Sequence, residues 1–319
     1  MNTLIYFNTK LNLNKKNLGG IESLNLHLKK ELTKKKINCV ISNKITNNIS
    51  KRKWDNLISS NDSSIFEKVK SKKNILWLHN KLQIEKALRK KQLLPIFKNE
   101  IYSVFNSRYL LENTSSIYFF KEKLIIPNFL TKEFENLKIN YRRKPYFVWS
   151  VQRERGLNDL INLWIKKVYP NNKSLKLFIF GININKIKSF KINYKRYNIF
   201  FKGRVNKSTL IKYYKNSLGM ICLGYDETFC LNAIESYACG LPILTFGLTA
   251  VSEISTKKNS FRGSNFNHIY KHIVFLSEMN AKSRKKLIDN CVNYSKKYYI
   301  KNIIGKWVKL LKVSPNVKF

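Results

Sequence analysis

The chain has 319 residues and a mass of 37.7 kDa, enough for two domains of ordinary size, each with its own core. It carries 61 Lys and Arg against 19 Asp and Glu, a formal net charge of +42. A hydrophobic content of 44% and an aromatic content of 13% exclude a disordered basic protein, and no apolar run approaches the ~20 residues of a membrane-spanning helix.

The five cysteines, at 39, 222, 230, 239 and 291, form no CxxC pair and no metal-ligand spacing. That excludes a disulfide framework and fits a reducing compartment. The opening MNTLIYFNTK has no basic leader before its short apolar run, so it reads as a first strand and not as a signal peptide. Lys is accompanied by abundant Asn, Ile, Tyr and Phe, so part of the charge is compositional bias. The remainder creates a positive field that attracts phosphates, anionic lipid or nucleic acid.

Thr3 to Asn8 is expected as a strand. Gly19 and Gly20 then open a helix running to about Lys36, with Ile21, Leu24, Leu28 and Leu32 on one face. Glycines between a strand and a helix let backbone approach a phosphate closely, although such a pair is most often a simple turn. Asn38 to Ser42 reads as a second strand, and residues 42–73 are polar with no element placed. Asn74 to Leu78 is a buried strand ending at His79, a position where a histidine commonly caps a turn. Ile101 to Asn106 is the next strand, with a helix from Ser107 through Glu112. Leu124 to Ile126 runs into Pro127-Asn128, and the polar stretch 131–144 reads as a linker.

The second half opens with a strand, Tyr146 to Ser150, and a helix from Gly156 to Val168 that buries Leu160, Leu163, Trp164 and Val168. The segment between them holds Arg153 and Arg155, either a solvated basic loop or a phosphate-binding one. Strands follow at Leu175–Phe180 and Asn198–Gly203, the second ending in Gly203-Arg204, and then a helix over Lys207–Asn216. Apolar runs at Leu218–Gly224 and Ile243–Phe246 flank the stretch ETFCLNAIESYACGLP, residues 227–242. Leu231, Ile234 and Ala238 repeat there at helical spacing. Thr228 is the expected N-cap, and Gly240-Leu-Pro242 the stop. From residue 144 onward there are eight Asp and Glu, and Asp226, Glu227, Glu235 and Glu253 are four of them. Ordinary helix charging accounts for one such acid. Four within one span of 28 residues, beside a strand's carboxyl end where open parallel sheets bind ligands, are more than helix charging explains.

Glu227 and Glu235 form an E-x7-E pair, followed by Ala238-Cys-Gly240 and Pro242. This resembles the signature of the family-4-type retaining glycosyltransferases of the GT-B fold, glycosyl transferases group 1. The resemblance implies an α/β chain of two Rossmann-like domains facing across a donor-binding cleft. Residues 1–140 would be the acceptor-side domain and 145–298 the nucleotide-sugar domain, with a C-terminal crossover helix over about 299–313 packing back on the first. Glu235 would hold the ribose hydroxyls of the donor. Glu227 would lie near the donor sugar, with the start of the helix, Thr228 and Phe229, beside it. Gly19-Gly20-Ile-Glu resembles the family's glycine start facing the donor, and His79 matches a strand-end histidine that orients sugar or acceptor. Arg155 stands where the family usually has Lys before Gly156; either holds a diphosphate, Arg with the more rigid fork. The usual upstream Gly-Arg pair is absent, Trp149-Ser150 standing there, which leaves Arg153 or Arg204 as the second diphosphate ligand. Gly203-Arg204 matches the family's "GxV" turn, and Phe246 to Ala250 its glycine loop.

The implied activity moves a hexose from a UDP- or GDP-sugar to a glycan or lipid-linked acceptor in cell-surface polysaccharide synthesis. No bound cofactor and no metal are expected, the helix dipole and Arg155 serving the leaving diphosphate. The implied location is cytoplasmic, peripheral on the inner face of an anionic membrane. The C-terminal helix, with Ile300, Ile303, Ile304, Trp307, Leu310 and Leu311 on one face, is also readable as a membrane-surface helix, the less favoured alternative. Two other functions compete. A basic nucleic-acid-binding protein accounts for the charge, but no helix-turn-helix, zinc or RRM motif is present and no specific nucleic acid is expected. A catalytically inactive GT-B scaffold fits the departure at Ser150, while Glu227 and Glu235 argue against it.

Overall fold

The computed structural model describes residues 1–9, 19–184 and 192–313. The chain divides into two compact units, residues 1–131 joined by the segment from Tyr298 onward, and Lys132–Lys297.

In the first unit six parallel strands form one sheet: β1 (Asn2–Phe7), β2 (Asn38–Ser42), β3 (Trp54–Ser60), β4 (Ser71–Leu78), β5 (Ile101–Phe105) and β6 (Glu122–Ile125), in the order β2-β1-β3-β4-β5-β6. Parallel strands need crossovers, and the Gly20–Lys34 helix supplies the first, burying Leu24, Leu28 and Leu32. The largest difference from expectation is β3, which lies inside the polar stretch 42–73. Its sequence WDNLISS reads as polar, yet it sits between β1 and β4 and is buried along most of its length. Its serines are satisfied locally: Ser60 donates to Asn25 Oδ1 at 3.0 Å and Ser59 to the Asp62 carbonyl. A strand whose buried polar groups find partners gives no apolar run to recognise.

The C-terminal helix, expected over about 299–313, spans Ile300–Lys312. A 3-10 turn at Lys296–Tyr298 precedes the Ile300–Lys312 helix, and the Leu130 amide donates to the Tyr298 carbonyl at 2.8 Å. The apolar face of that helix is buried in the first unit, with Trp307 4.8 Å from Trp77 between ring centroids. The membrane-surface alternative for this helix is thereby overturned, because the face it required is already covered. The helix end is capped by Lys73, a buried side chain that donates to the carbonyls of Leu310 at 2.7 Å and Val313 at 3.0 Å. Replacing Lys73 with Met is expected to lower unfolding stability by about 1–3 kcal/mol, since the two carbonyls lose their donor. Urea unfolding of the full chain checks this, with Lys72→Met at the exposed Asp55 pair expected to change little.

The second unit also carries six parallel strands: β7 (Tyr146–Trp149), β8 (Lys176–Phe180), β9 (Ile199–Gly203), β10 (Gly219–Ile221), β11 (Ile243–Thr245) and β12 (Ser260–Arg262). Their order is β12-β11-β10-β7-β8-β9, the doubly wound arrangement with its reversal between β7 and β10. Residues 132–145 belong to this unit, so the division falls earlier than the 140–145 expected. Arg143 shows why: its guanidinium donates to the carbonyls of Tyr214, Cys239 and Gly240, anchoring the stretch to two helix ends of the second unit.

Candidate functional site

At the reversal between β7 and β10 the two neighbouring crossovers leave in opposite directions, which opens a crevice at the carboxyl ends of those strands. After β7 the chain makes a short 3-10 turn, Arg153–Arg155, and closes it at Gly156 with φ +102°. A Cβ at Gly156 would stand 2.7 Å from Leu223 Cδ1 and 2.8 Å from the Tyr225 ring. Only glycine permits this close approach, and the approach carries Arg155 to the end of β10. Gly156→Ala is expected to cost about 2–4 kcal/mol, adding left-handed strain to overpacking. Gly181→Ala, at φ +79° with nothing within 4 Å of the added carbon, should cost only the strain. Urea midpoints of the two variants check the difference.

Arg155 Nη1 forms an ion pair with Glu227 Oε1, with side-chain exposures of 19% and 3%. Burial raises the Glu227 pKa, and the Arg155 guanidinium works against that rise. The Glu227 carbonyl accepts from the Ala250 amide at 3.2 Å, and Thr249 Oγ1 donates to the Gly224 carbonyl at 2.7 Å. The glycine loop 246–250 is thus tied to the same place.

The helix here spans Leu231–Ala238, so Thr228 is not its N-cap. Cys230 caps it in the left-handed region at φ 64°, without a side-chain bond, and Asp226 at φ 47° begins the same connection. Glu227, Thr228 and Phe229 are buried within this loop. Seating Phe229 in the core makes the chain turn again before the helix can start.

Glu235 lies one helical turn further on and is buried. Burial pushes its pKa up to about 7, with Lys207 pulling it down and Glu133 pushing it up. On the same helix Asn232 Nδ2 donates to the Ser150 carbonyl at 2.8 Å, and Ser150 Oγ lies 2.5 Å from the Tyr214 hydroxyl. Asn232 and Tyr214 therefore position the end of β7 against the glutamate helix. Neither carried a sequence signal, since both act through residues distant in the chain.

Arg153, Gly203 and Arg204 line one cavity of about 1100 Å³ at the ends of β7, β8 and β9, together with Ser150, Gln152 and Gly181. Both alternatives for the second diphosphate ligand therefore border the same space. Arg155, Glu227 and Glu235 are not part of its lining.

Gly19, Gly20 and His79 belong to the first unit. Gly19 is the extended N-cap of the Gly20–Lys34 helix, and the residues just before it, Leu18 included, lie outside the described ones. His79 follows β4, buried, with its ring 4.4 Å from that of Trp77. Burial pushes its pKa down to about 3, so it is a neutral imidazole at physiological pH. Its amide donates to Asn61 Oδ1 at 2.7 Å. Asn61, left-handed at φ 57°, sets the backbone at the end of β4 and was hidden in the polar stretch.

Among the described residues, Cys222, Glu227 and Cys230 offer three donor atoms within 4.8 Å of one another, a group that could hold a metal ion. The Cys222 and Cys230 sulfurs are 3.5 Å apart. Contact with Cys222 and burial push the Cys230 thiol well up, and Glu227 already faces Arg155. As built, the group is a packed thiol pair beside an ion pair.

The family model for glycosyl transferases group 1 matches residues 130–293. A sequence search of curated proteins finds no match. Among solved structures, sucrose-phosphate synthase from Thermosynechococcus elongatus is similar with a TM-score of 0.72 at 11% identity, over 97% of this chain and 98% of that one. WaaG, a glycosyltransferase involved in lipopolysaccharide biosynthesis, gives 0.67 at 11% identity, over 98% and 100%. TarM of S. aureus, solved with UDP, gives 0.65 at 16% identity; the match covers 81% of this chain but only 55% of TarM. With two six-stranded parallel sheets of GT-B type and the family model spanning more than half of the sequence, this protein belongs to the glycosyl transferases group 1.

Proposed function

We propose that the protein transfers a hexose from a UDP- or GDP-sugar, with retention of anomeric configuration, to a glycan or lipid-linked acceptor. The observation that carries this reading is the pair of half-buried Arg155 and buried Glu227 at the β7/β10 reversal, with Glu235 on the helix that follows β10. The second unit is then the donor side and the first the acceptor side. The donor diphosphate takes the Arg155 fork from Glu227, and the guanidinium stabilises the charge that develops on the leaving group. Arg153 or Arg204, both lining one cavity, supplies the second cationic contact. Glu235, as the carboxylate, accepts from the ribose hydroxyls, while Thr228 and Phe229 border Glu227 near the sugar. His79, neutral, orients sugar or acceptor by hydrogen bonding, and Gly19-Gly20 lets backbone approach the donor. The involvement of WaaG in lipopolysaccharide biosynthesis and the UDP bound to TarM support a nucleotide-sugar donor and a cell-surface glycan product.

No metal is required in this scheme, because Arg155 does the work of a divalent ion. No helix among the described residues is long and apolar enough to cross a membrane. A cytoplasmic enzyme that meets its acceptor at the inner leaflet fits the charge of +42.

The test is release of UDP or GDP from a panel of nucleotide-sugars, with and without EDTA, in wild type and Glu235→Ala. Slow hydrolysis of one donor, lost in the variant and indifferent to EDTA, is expected. NMR of the released sugar reads the anomeric configuration. Absence of both turnover and thermal stabilisation by either nucleotide, with tight salt-sensitive nucleic-acid binding instead, overturns the proposal.

A further inference from the structure

Twelve large apolar side chains are exposed among the described residues, and seven of them lie between Ile84 and Ile125 in the first unit. Six of these occupy two short helices, Ile84–Arg89 and Leu93–Lys98, and the loop before β6, while Ile125 ends β6 itself. In the first helix Ala87 is buried, while Ile84 and Leu88, one turn apart, point outward, Leu88 at 58% exposure. In the second, Pro95 and Ile96 anchor the helix to the core, and Leu94 at 62% exposure and Phe97 face out. The two helices pack against each other, and the Gln92 amide donates to the Ala87 carbonyl at 2.8 Å. The loop adds Ile117 and Phe119, the latter 73% exposed, with its ring 6.4 Å from that of Phe97. Polar loops of a globular protein do not ordinarily gather such side chains on one surface.

The charges around these side chains are predominantly positive. Between residues 81 and 98 the chain carries Lys81, Lys86, Arg89, Lys90, Lys91 and Lys98, against Glu85. All but Lys81 are exposed. An apolar wedge ringed by flexible cations matches a bilayer surface, where rings and branched side chains enter the headgroup boundary and ammonium groups remain with the phosphates. A protein partner would have to be strongly acidic to cover the same ring.

We infer that this face, formed by Ile84, Leu88, Leu94, Phe97, Ile117 and Phe119, docks the enzyme on an anionic lipid bilayer. It replaces the C-terminal helix as the membrane contact, since the apolar side of that helix is buried. The inference is independent of the donor chemistry, because the elements involved hold no residue assigned to the donor.

The experiment is flotation of the full chain with phosphatidylcholine vesicles, with and without phosphatidylglycerol. The wild type should bind the anionic vesicles in preference. The double variant Phe97→Ser/Phe119→Ser should weaken that binding about tenfold or more at unchanged melting temperature. The triple variant Lys86→Glu/Lys90→Glu/Lys91→Glu should abolish the preference for anionic lipid. As a check free of folding effects, Phe119→Trp should gain fluorescence quenching by brominated acyl chains. Binding unchanged in the phenylalanine variant, or no added quenching, overturns the inference. So does absence of vesicle binding together with a self-association that Phe97→Ser/Phe119→Ser disperses, which would assign the face to a second copy of the chain. Donor hydrolysis without vesicles should be the same in all these variants, so its loss in the wild type would fault the donor reading alone.

Discussion

Arg155→Ala is expected to lower nucleotide release by about a hundredfold to a thousandfold, the range seen when one preorganised charge-stabilising donor is removed. It should also destabilise the second unit, because Glu227, 3% exposed, loses the cation that offsets its burial. Breaking a buried pair from one side costs about 3–5 kcal/mol, and the exposure of Arg155 at 19% places the expected loss at the lower end. The sign of the pH dependence follows. Without the guanidinium the Glu227 pKa climbs further, so the cost is present while the carboxylate is charged and fades as pH falls and it takes up a proton. Urea unfolding at mildly acidic and mildly alkaline pH should therefore give a larger gap between variant and wild type on the alkaline side. The double variant Arg155→Ala/Glu227→Gln should recover stability without recovering turnover. An equal loss at both pH values would mean that the pair is not electrostatically coupled.

Glu235→Gln carries the second large effect. Burial raises the Glu235 pKa from 4.5 to about 7, so across that window the folded chain holds a proton that the unfolded chain has released. Stability from this group is therefore present at low pH, falls as pH rises through the window, and is level above it. The shift corresponds to about 3 kcal/mol. The glutamine variant lacks the slope and should exceed the wild type in stability at pH values above 7 by up to that amount, while losing donor binding. In the proposed role ribose hydroxyls donate to the carboxylate, so the bound donor would favour the deprotonated form. Below the raised pKa, binding must release a proton, and donor affinity should weaken by up to about tenfold per pH unit. Calorimetry of UDP or GDP binding in buffers of different ionisation enthalpy reads that proton directly. An affinity independent of pH, with no proton released, would remove Glu235 from the ribose contact.

Much of the architecture was legible because the relevant signals are local. β2, β7, β10 and β11 are short apolar runs bounded by turn residues, and their places agree with the expectation to within a few residues. The spacing of Glu227 and Glu235 was visible for the same reason, one being set in a loop and the other on the helix that follows it. What escaped was whatever depends on partners. β3 is a central strand made partly of Asn and Ser, recognisable only once Asn25 and the Asp62 carbonyl stand beside its serines. The helix start was misplaced because Thr228 has the chemistry of a cap, whereas the burial of Phe229 and the left-handed turn at Cys230 decide where helical backbone begins.

The sequence by itself determined the periodicities, the signature stretch and therefore the family. Tertiary structure alone decided what those residues meet. Arg155 finds Glu227 because Gly156 allows β7 and β10 to approach, a condition written in three separated segments. Glu235 and His79 acquire their shifted protonation from burial, which no spacing encodes. The amphipathic pattern of the last helix requires that its apolar side be covered, but it is indifferent to the cover. Trp77 and its neighbours supply that cover here, and the exposed apolar surface of this protein lies elsewhere, on Leu88, Leu94, Phe97 and Phe119. Hydrophobic free energy depends on the area removed from water, and only the packed molecule says which area that is.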